Sequence, residues 1–404
     1  MQIKLVLPIV LAMLAASLPA TVTAAASPLA AADNGFGFKL LQLLAHDPSA
    51  QNIFISPYSA STVLQMVGNG AAGRTKTEMQ QVLETANLSD ADVNAANKKA
   101  ARYFNSQDTN LVLLSANNAI WYRPGFTVDP DFIAGNRDHF EATVDPLDFA
   151  DPHAVDVINH WAEDKTHGKI THLADGMIDP KSTEMILANA VYFKAKWAVP
   201  FKVRTTRDLP FYLRDGSQKT VPMMQQTRSF AYQRGADFQS IRLPYQDENL
   251  AMYVFLPDTN STPQKLLDTL NGDQWQNVIK PGFANEQGLL ELPKFKLEYR
   301  VQLKDPLKTL GMKDAFDPTR ANFSGIAPQR LCISAVLQKT FVDVNEHGTE
   351  AAAATIVGVI GNAIMMPPPA QFEMIVNRPF LFLIEDNHTG IILFMGIVDN
   401  PPSD

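Results

Sequence analysis

The amino-acid sequence predicts an α+β fold built as one large domain. Helix-like apolar spacing is concentrated in the first half of the chain and strand-like runs dominate the second, an order that argues against alternating βαβ units. No repeat with a period of about 20–50 residues is present, which excludes a solenoid or propeller. No long Gly/Ser linker divides the 404 residues.

In chain order, a basic start, "MQIK", precedes the apolar run "LVLPIVLAMLAASL" and the small residues "PATVTAAA". This is the form of a secretory signal peptide over residues 1–24, with cleavage after about Ala24. The run is short for a transmembrane span and no cysteine follows it for lipid attachment, so an exported chain, extracellular or periplasmic, is expected. Residues 25–404 then form the folded domain. "NGFGFKLLQLLAHD" at 34–47 has apolar residues at helical spacing and ends before Pro48. Ser56 is a good helix cap with Pro57 at the first helical position, and "KTEMQQVLETA" continues as a further helix. "LVLLSANNAIWY" at 111–122 reads as a buried strand. "DVINHWAEDKTHG" is helical and closes at Gly168. "TEMILANAVYFKAKW" at 183–197 mixes apolar runs with asparagine, as a central strand crossing a polar pocket would. Strand-like runs follow: "FQSIRLPYQ", "LAMYVFLPD", "LLELPKFKLEYRV", "AVLQKTFVDV", "RPFLFLIED" and "GIILFMGIV".

The balance of 46% hydrophobic and 19% charged residues suits a globular protein with a sizeable core. A net charge of −8 without any lysine or arginine run argues against nucleic acid, acidic membranes or a heparin-like activator as partners. The strongest basic grouping, "FKVRTTR" at 201–207, reads as a solvated loop. Cys332 is the sole cysteine, so no intramolecular disulfide can form and a buried structural thiol is expected. Gly68, Gly70 and Gly73 match a dinucleotide-binding spacing, but that motif needs a strand before it, and here a helix ends there. His160, His167 and His172 fit no usual zinc pattern, and no nucleophile stands beside a base. No enzymatic activity, cofactor or metal is expected.

One segment has a mechanical pattern, "VNEHGTEAAAATIVGVIGNAIMMPPPAQFEM" from Val344 to Met374. Laid out as a strand, Thr349, Ala351, Ala353 and Thr355 share one face, all small and uncharged; Glu350, Ala352 and Ala354 share the other. Such a strand could slip between two others without clashes. The β-branched continuation "TIVGVI" favours a strand over an alanine-rich linker.

This segment resembles the hinge and reactive-centre loop of the serpins. The likeness extends over nearly the whole chain after the signal: "QNIFISPYSASTVLQMVGNGAAGRTKTEM", "INHWAEDKTHGKI", "ILANAVYFKAKWAVPF", "VPMMQQ", "LPY", "MYVFLPD", "LPKFKLE", "FVDVNEHGTEAAAAT" and "NRPFLFLIEDNHTGIILFMGIVDNP" follow in the expected order. The resemblance implies three β-sheets, about nine helices and an exposed loop at about 346–375. It further implies a monomeric suicide-substrate inhibitor. A protease cleaves the loop, the hinge inserts as a new strand, and the protease is trapped covalently. Residue by residue, the hinge is Glu346, Gly348, Thr349, Glu350, Ala351, Ala352, Ala353, Ala354 and Thr355. Glu346, Lys294 and Trp197 match the "breach" where insertion begins, with Glu346 and Lys294 as an ion pair. Ser56, Ser59, Asn189 and Gln338 match the polar "shutter" where the strands part, although many serpins carry histidine at the position of Gln338. Small residues through the hinge favour an inhibitor over a non-inhibitory binding or chaperone-like member. The family's usual spacing from Glu346 puts the reactive bond at Asn362–Ala363, which suits an asparagine-specific cysteine protease. A shifted register, with Ile360, Ala363, Ile364 or Met365 as the specificity residue, suits an elastase-, subtilisin- or chymotrypsin-like serine protease, the better match to an exported inhibitor.

Overall fold

The computed structural model describes residues 26–47, 51–349 and 370–402. Among them are nine α-helical segments: α1 (Pro28–Ala45), α2 (Pro57–Gly68), α3 (Gly73–Val82), α4 (Asp90–Asn105), α5 (Pro130–Phe140), α6 (Ala154–Lys165), α7 (Pro263–Thr269), α8 (Gly272–Gln274) and α9 (Lys304–Leu310). The strands are β1 (Asn52–Ile55), β2 (Val112–Tyr122), β3 (Thr143–Pro146), β4 (Met185–Lys196), β5 (Arg207–Tyr212), β6 (Gln218–Arg234), β7 (Phe238–Pro244) and β8 (Leu250–Pro257). The chain continues with β9 (Ala284–Pro293), β10 (Phe295–Gln302), β11 (Ile333–Asn345), β12 (Gly348–Thr349), β13 (Phe372–Ile375), β14 (Phe380–Asp386) and β15 (Ile391–Val398).

One mixed sheet runs in the order β10-β11-β12-β4-β2-β3. The other strands run β1-β15-β14-β8-β7-β6-β9-β13, with β5 beside β6. β6 is 17 residues long. Its N-terminal part pairs with β5 and its C-terminal part with β7. The three sheets implied by the resemblance are therefore one six-stranded sheet and two halves of a continuous one, joined through β6.

Local chemistry explains most boundaries. The Ser56 hydroxyl accepts from the Ser59 N–H at 3.3 Å and Pro57 occupies the first turn of α2, as the sequence predicts. α1 begins six residues before the expected Asn34, because Ser27 caps it and Pro28 opens it. The Asn34-Gly35 pair, a turn signal in isolation, lies inside the helix: a side chain at Gly37 would come within 2.5 Å of Pro57, so glycine lets α1 approach α2 closely. The run "LLELPKFKLEYRV" is two strands rather than one. β9 belongs to the large sheet and β10 to the small one, and Lys294 sits at the corner between them. Every residue of α2 is buried, and the helix packs on β15, β4 and β2. Its first turn thus lies directly beneath the strands of the small sheet.

Candidate functional site

Within the small sheet, Ile333–Phe341 of β11 pairs in parallel with Met185–Tyr192 of β4. Beyond that stretch the two strands separate and β12 lies between them. Thr349 stands opposite Val344 on one side and Ala195 on the other; Gly348 stands opposite Asn345 and Lys196. β12 is antiparallel to both neighbours. Gly348 and Thr349, two of the hinge residues that the sequence singles out, are thus already a strand of the sheet.

Side chains fix them there. Gly348 has φ +150°, and a Cβ at that position would lie 2.1 Å from the Ala195 carbonyl oxygen, so only glycine fits the crossing. Thr349 is fully buried and its Oγ1 lies 2.8 Å from the Tyr245 hydroxyl. Tyr245 stacks on Trp197, with ring centroids 4.6 Å apart, and burial pushes the Tyr245 phenol far above its ordinary pKa, so it stays a neutral hydrogen-bonding group. Trp197 holds the entry turn by two donated bonds, from Nε1 to the Asn345 carbonyl at 2.9 Å and from its backbone N–H to the His347 carbonyl at 3.0 Å.

Glu346, 5% exposed, is held from three directions. Its Oε2 lies 3.2 Å from Lys294 Nζ, the Thr206 hydroxyl donates to Oε1 at 2.7 Å, and the Phe201 N–H donates to its carbonyl at 2.8 Å. Burial works to raise the carboxyl pKa, but the Thr206 hydroxyl, its own backbone and Lys294 together hold it below the ordinary value. Lys294 reaches Glu346 because it occupies the corner between β9 and β10.

Deeper along β4 and β11 lies a buried polar cluster. Gln338 Nε2 donates to the Ser56 carbonyl at 3.0 Å and to Asn189 Oδ1 at 2.8 Å, and Gln338 Oε1 accepts from the Ser56 N–H at 3.1 Å. Asn189 Nδ2 donates to Asn118 Oδ1 at 2.7 Å and also to the Ser59 hydroxyl. Glutamine therefore both donates and accepts at this position. Four elements (α2, β2, β4 and β11) are tied together across the β4–β11 pairing.

Sequence reasoning missed Thr206, Tyr245 and Asn118. Thr206 lies in "FKVRTTR", which does expose Lys202, Val203, Arg204 and Arg207 as a solvated loop, but Phe201 and Thr206 turn inward to Glu346. Asn118 carried a faint signal, an asparagine pair inside a β-rich run. Glu350, Ala351–Ala354 and Thr355 of the hinge, with Ile360, Asn362, Ala363, Ile364 and Met365, lie outside the described residues. So does the signal segment. Gly68 ends α2 and Gly73 begins α3, so a helix rather than a strand leads into the glycines. His160 bonds the Asp156 carbonyl and His172 bonds Asp175, each at 2.8 Å. Cys332 is buried, and burial together with Glu184 pushes its thiol up to about 12, the inert character expected of it.

Comparison with known proteins places this arrangement. A sequence profile described as Serpin (serine protease inhibitor) matches residues 31–401. The chain belongs to the serpin family. This serpin is 35% identical over 393 residues to the leukocyte elastase inhibitor of Sus scrofa, covering 92% of this chain and 99% of that one. It is 34% identical over 379 residues to the glia-derived nexin of Rattus norvegicus, covering 90% and 91%. Its fold superposes on the native state of the thermophilic serpin Tengpin with a TM-score of 0.83 at 30% identity, covering 92% and 94%. The α+β serpin architecture expected from the sequence is the one observed.

Proposed function

We propose that this serpin is an exported suicide-substrate inhibitor of a serine protease, of elastase-, subtilisin- or chymotrypsin-like specificity. The observation that carries the reading is the seating of Gly348 and Thr349 between β11 and β4. Thr349 faces inward at Tyr245, and side chains along a strand alternate. Ala351, Ala353 and Thr355 would follow it inward if the strand were continued, and none of them is charged or bulky.

The energetics support the same reading. A strand of about fourteen residues spans ~45 Å at ~3.3 Å per residue. Its entry would open one parallel pairing, β4 with β11, and form two antiparallel ones, a net gain of one ladder. At ~0.5–1.5 kcal/mol per net hydrogen bond, this amounts to on the order of 10 kcal/mol. That rivals the stability of a whole domain, so the native form would be held kinetically, by the buried cluster at Asn189 and Gln338. The relatives named as an elastase inhibitor and a nexin support inhibition. The counted reactive bond is Asn362–Ala363, and an asparagine-specific cysteine protease is the alternative target if that register holds.

The test is to mix the protein with elastase-, chymotrypsin-, subtilisin- and trypsin-like enzymes and an asparagine-specific protease. A denaturing gel should show a stable adduct, and the mass of the released C-terminal peptide should identify the bond. Cleavage without any adduct across the panel would sink the inhibitor reading in favour of a binding protein whose loop is merely cut. The signal expectation is checked by finding the protein in the culture medium or periplasm with an N-terminus near residue 25.

A further inference from the structure

A cavity of about 440 Å³ lies where the segment Asn377–Pro379 leading into β14 meets the turn after β5 and the start of α7. Its walls are apolar in part, from Leu213, Pro257, Pro263 and Pro379. Two donors line it. Arg378 is partly buried; its Nε donates to the Pro257 carbonyl at 3.0 Å and one Nη reaches Asn377 Oδ1 at 3.4 Å. Among the described residues no carboxylate is paired with it. Asp258, whose charge acts on Arg378, is engaged bidentately by Arg234 at 2.6 and 2.8 Å, and Asp399 is engaged by Arg214. The Gln264 amide presents the second donor: its Nε2 is buried and has no hydrogen-bond partner. Burial lowers the Arg378 pKa from its ordinary value, outweighing the opposing pull of the Asp258 charge.

An uncompensated, partly buried cation is costly unless an anion joins it. Guanidinium is also the side chain best shaped to take a carboxylate with two parallel bonds. The volume is that of a small-molecule site, and a few polar groups on apolar walls is the usual composition of one. We infer that the cavity binds a small amphipathic carboxylate, its head on Arg378 and Gln264 and its apolar body against Leu213, Pro257, Pro263 and Pro379. The terminal torsion of a glutamine is soft, so the Gln264 amide can turn its donor to the ligand. Because Asn377 also accepts from the Tyr212 N–H at 2.8 Å, an occupant would brace the segment just after β13, on the C-terminal side of the loop.

Octanoate, octanamide and acetate are suitable probes, titrated calorimetrically against the intact mature protein. Octanoate should bind one to one, with octanamide and acetate each at least tenfold weaker. Arg378→Gln should weaken octanoate at least tenfold and leave octanamide unchanged, and Gln264→Leu should weaken octanoate about threefold or more. Gln264→Leu leaves the Arg378–Pro257 contact intact, so it decides the matter if Arg378→Gln fails to fold. Equal binding of octanoate and octanamide, octanoate binding untouched by these substitutions, or no binding at millimolar concentration would each overturn the assignment.

Discussion

Replacing Thr349 by arginine tests the hinge geometry most directly. In the native sheet Gly348 and Thr349 pair on both sides, and at ~1 kcal/mol net per backbone bond their seating is worth no more than ~4 kcal/mol. Arginine would strip Tyr245 of its partner at a fully buried position, a loss of ~1–3 kcal/mol. It would also place a guanidinium against Tyr245, with Trp197 and Phe193 packed around that ring, at a further several kcal/mol. The penalties exceed the gain by on the order of 3 kcal/mol, about a hundredfold in the ratio of seated to expelled hinge. The variant should still be cleaved by a protease that the parent inhibits, but yield a clipped chain in place of the adduct on a denaturing gel. Thr349→Ser, which keeps the hydroxyl, should form adduct like the parent. If Thr349→Arg forms as much adduct as the parent, insertion does not proceed through the site that Thr349 occupies, and the reasoning fails.

Three further outcomes follow from other parts of the structure. Asn189→Ala removes bonds to Gln338, Asn118 and Ser59 at a fully buried site; the native state should lose ~2–4 kcal/mol, seen as a lower thermal midpoint and faster spontaneous loss of the native form. Glu346 has a folded pKa below its unfolded one, so its contribution is present above the ordinary carboxylate range and is lost as pH falls through the lowered value; the fluorescence of Trp197 should change there, and Glu346→Gln should abolish the change. Asp33, fully buried and bonded to Gln65, has its pKa raised by burial from 3.8 to about 7. The folded state then holds a proton that the unfolded state releases, so stability should fall by ~4 kcal/mol as pH rises from about 4 to about 7, and Asp33→Asn should flatten that slope in urea unfolding.

Much of this molecule is local enough to be read from the chain. The cap at Ser56 with Pro57, the glycine stop after α6 and the apolar strands β8, β14 and β15 depend on nearest neighbours and on a repeat of two or 3.6 residues. The small face of the hinge is likewise a property of sequence order alone, and it is what made the family recognisable. The Lys294–Glu346 pair was legible only through that resemblance, because nothing in either residue's neighbours announces a contact across about fifty positions of chain. Tertiary structure decided the rest. That β9 and β10 part company at Lys294, that Thr206 turns in to Glu346, and that Tyr245 meets Thr349 are facts about which strands become neighbours, and pairing partners are chosen by the burial of whole faces rather than by local propensity. The seating of Gly348 and Thr349 is of this kind too: composition marks them as able to enter a sheet, but only the separation of β4 from β11 beyond Tyr192 and Phe341 creates the place for them.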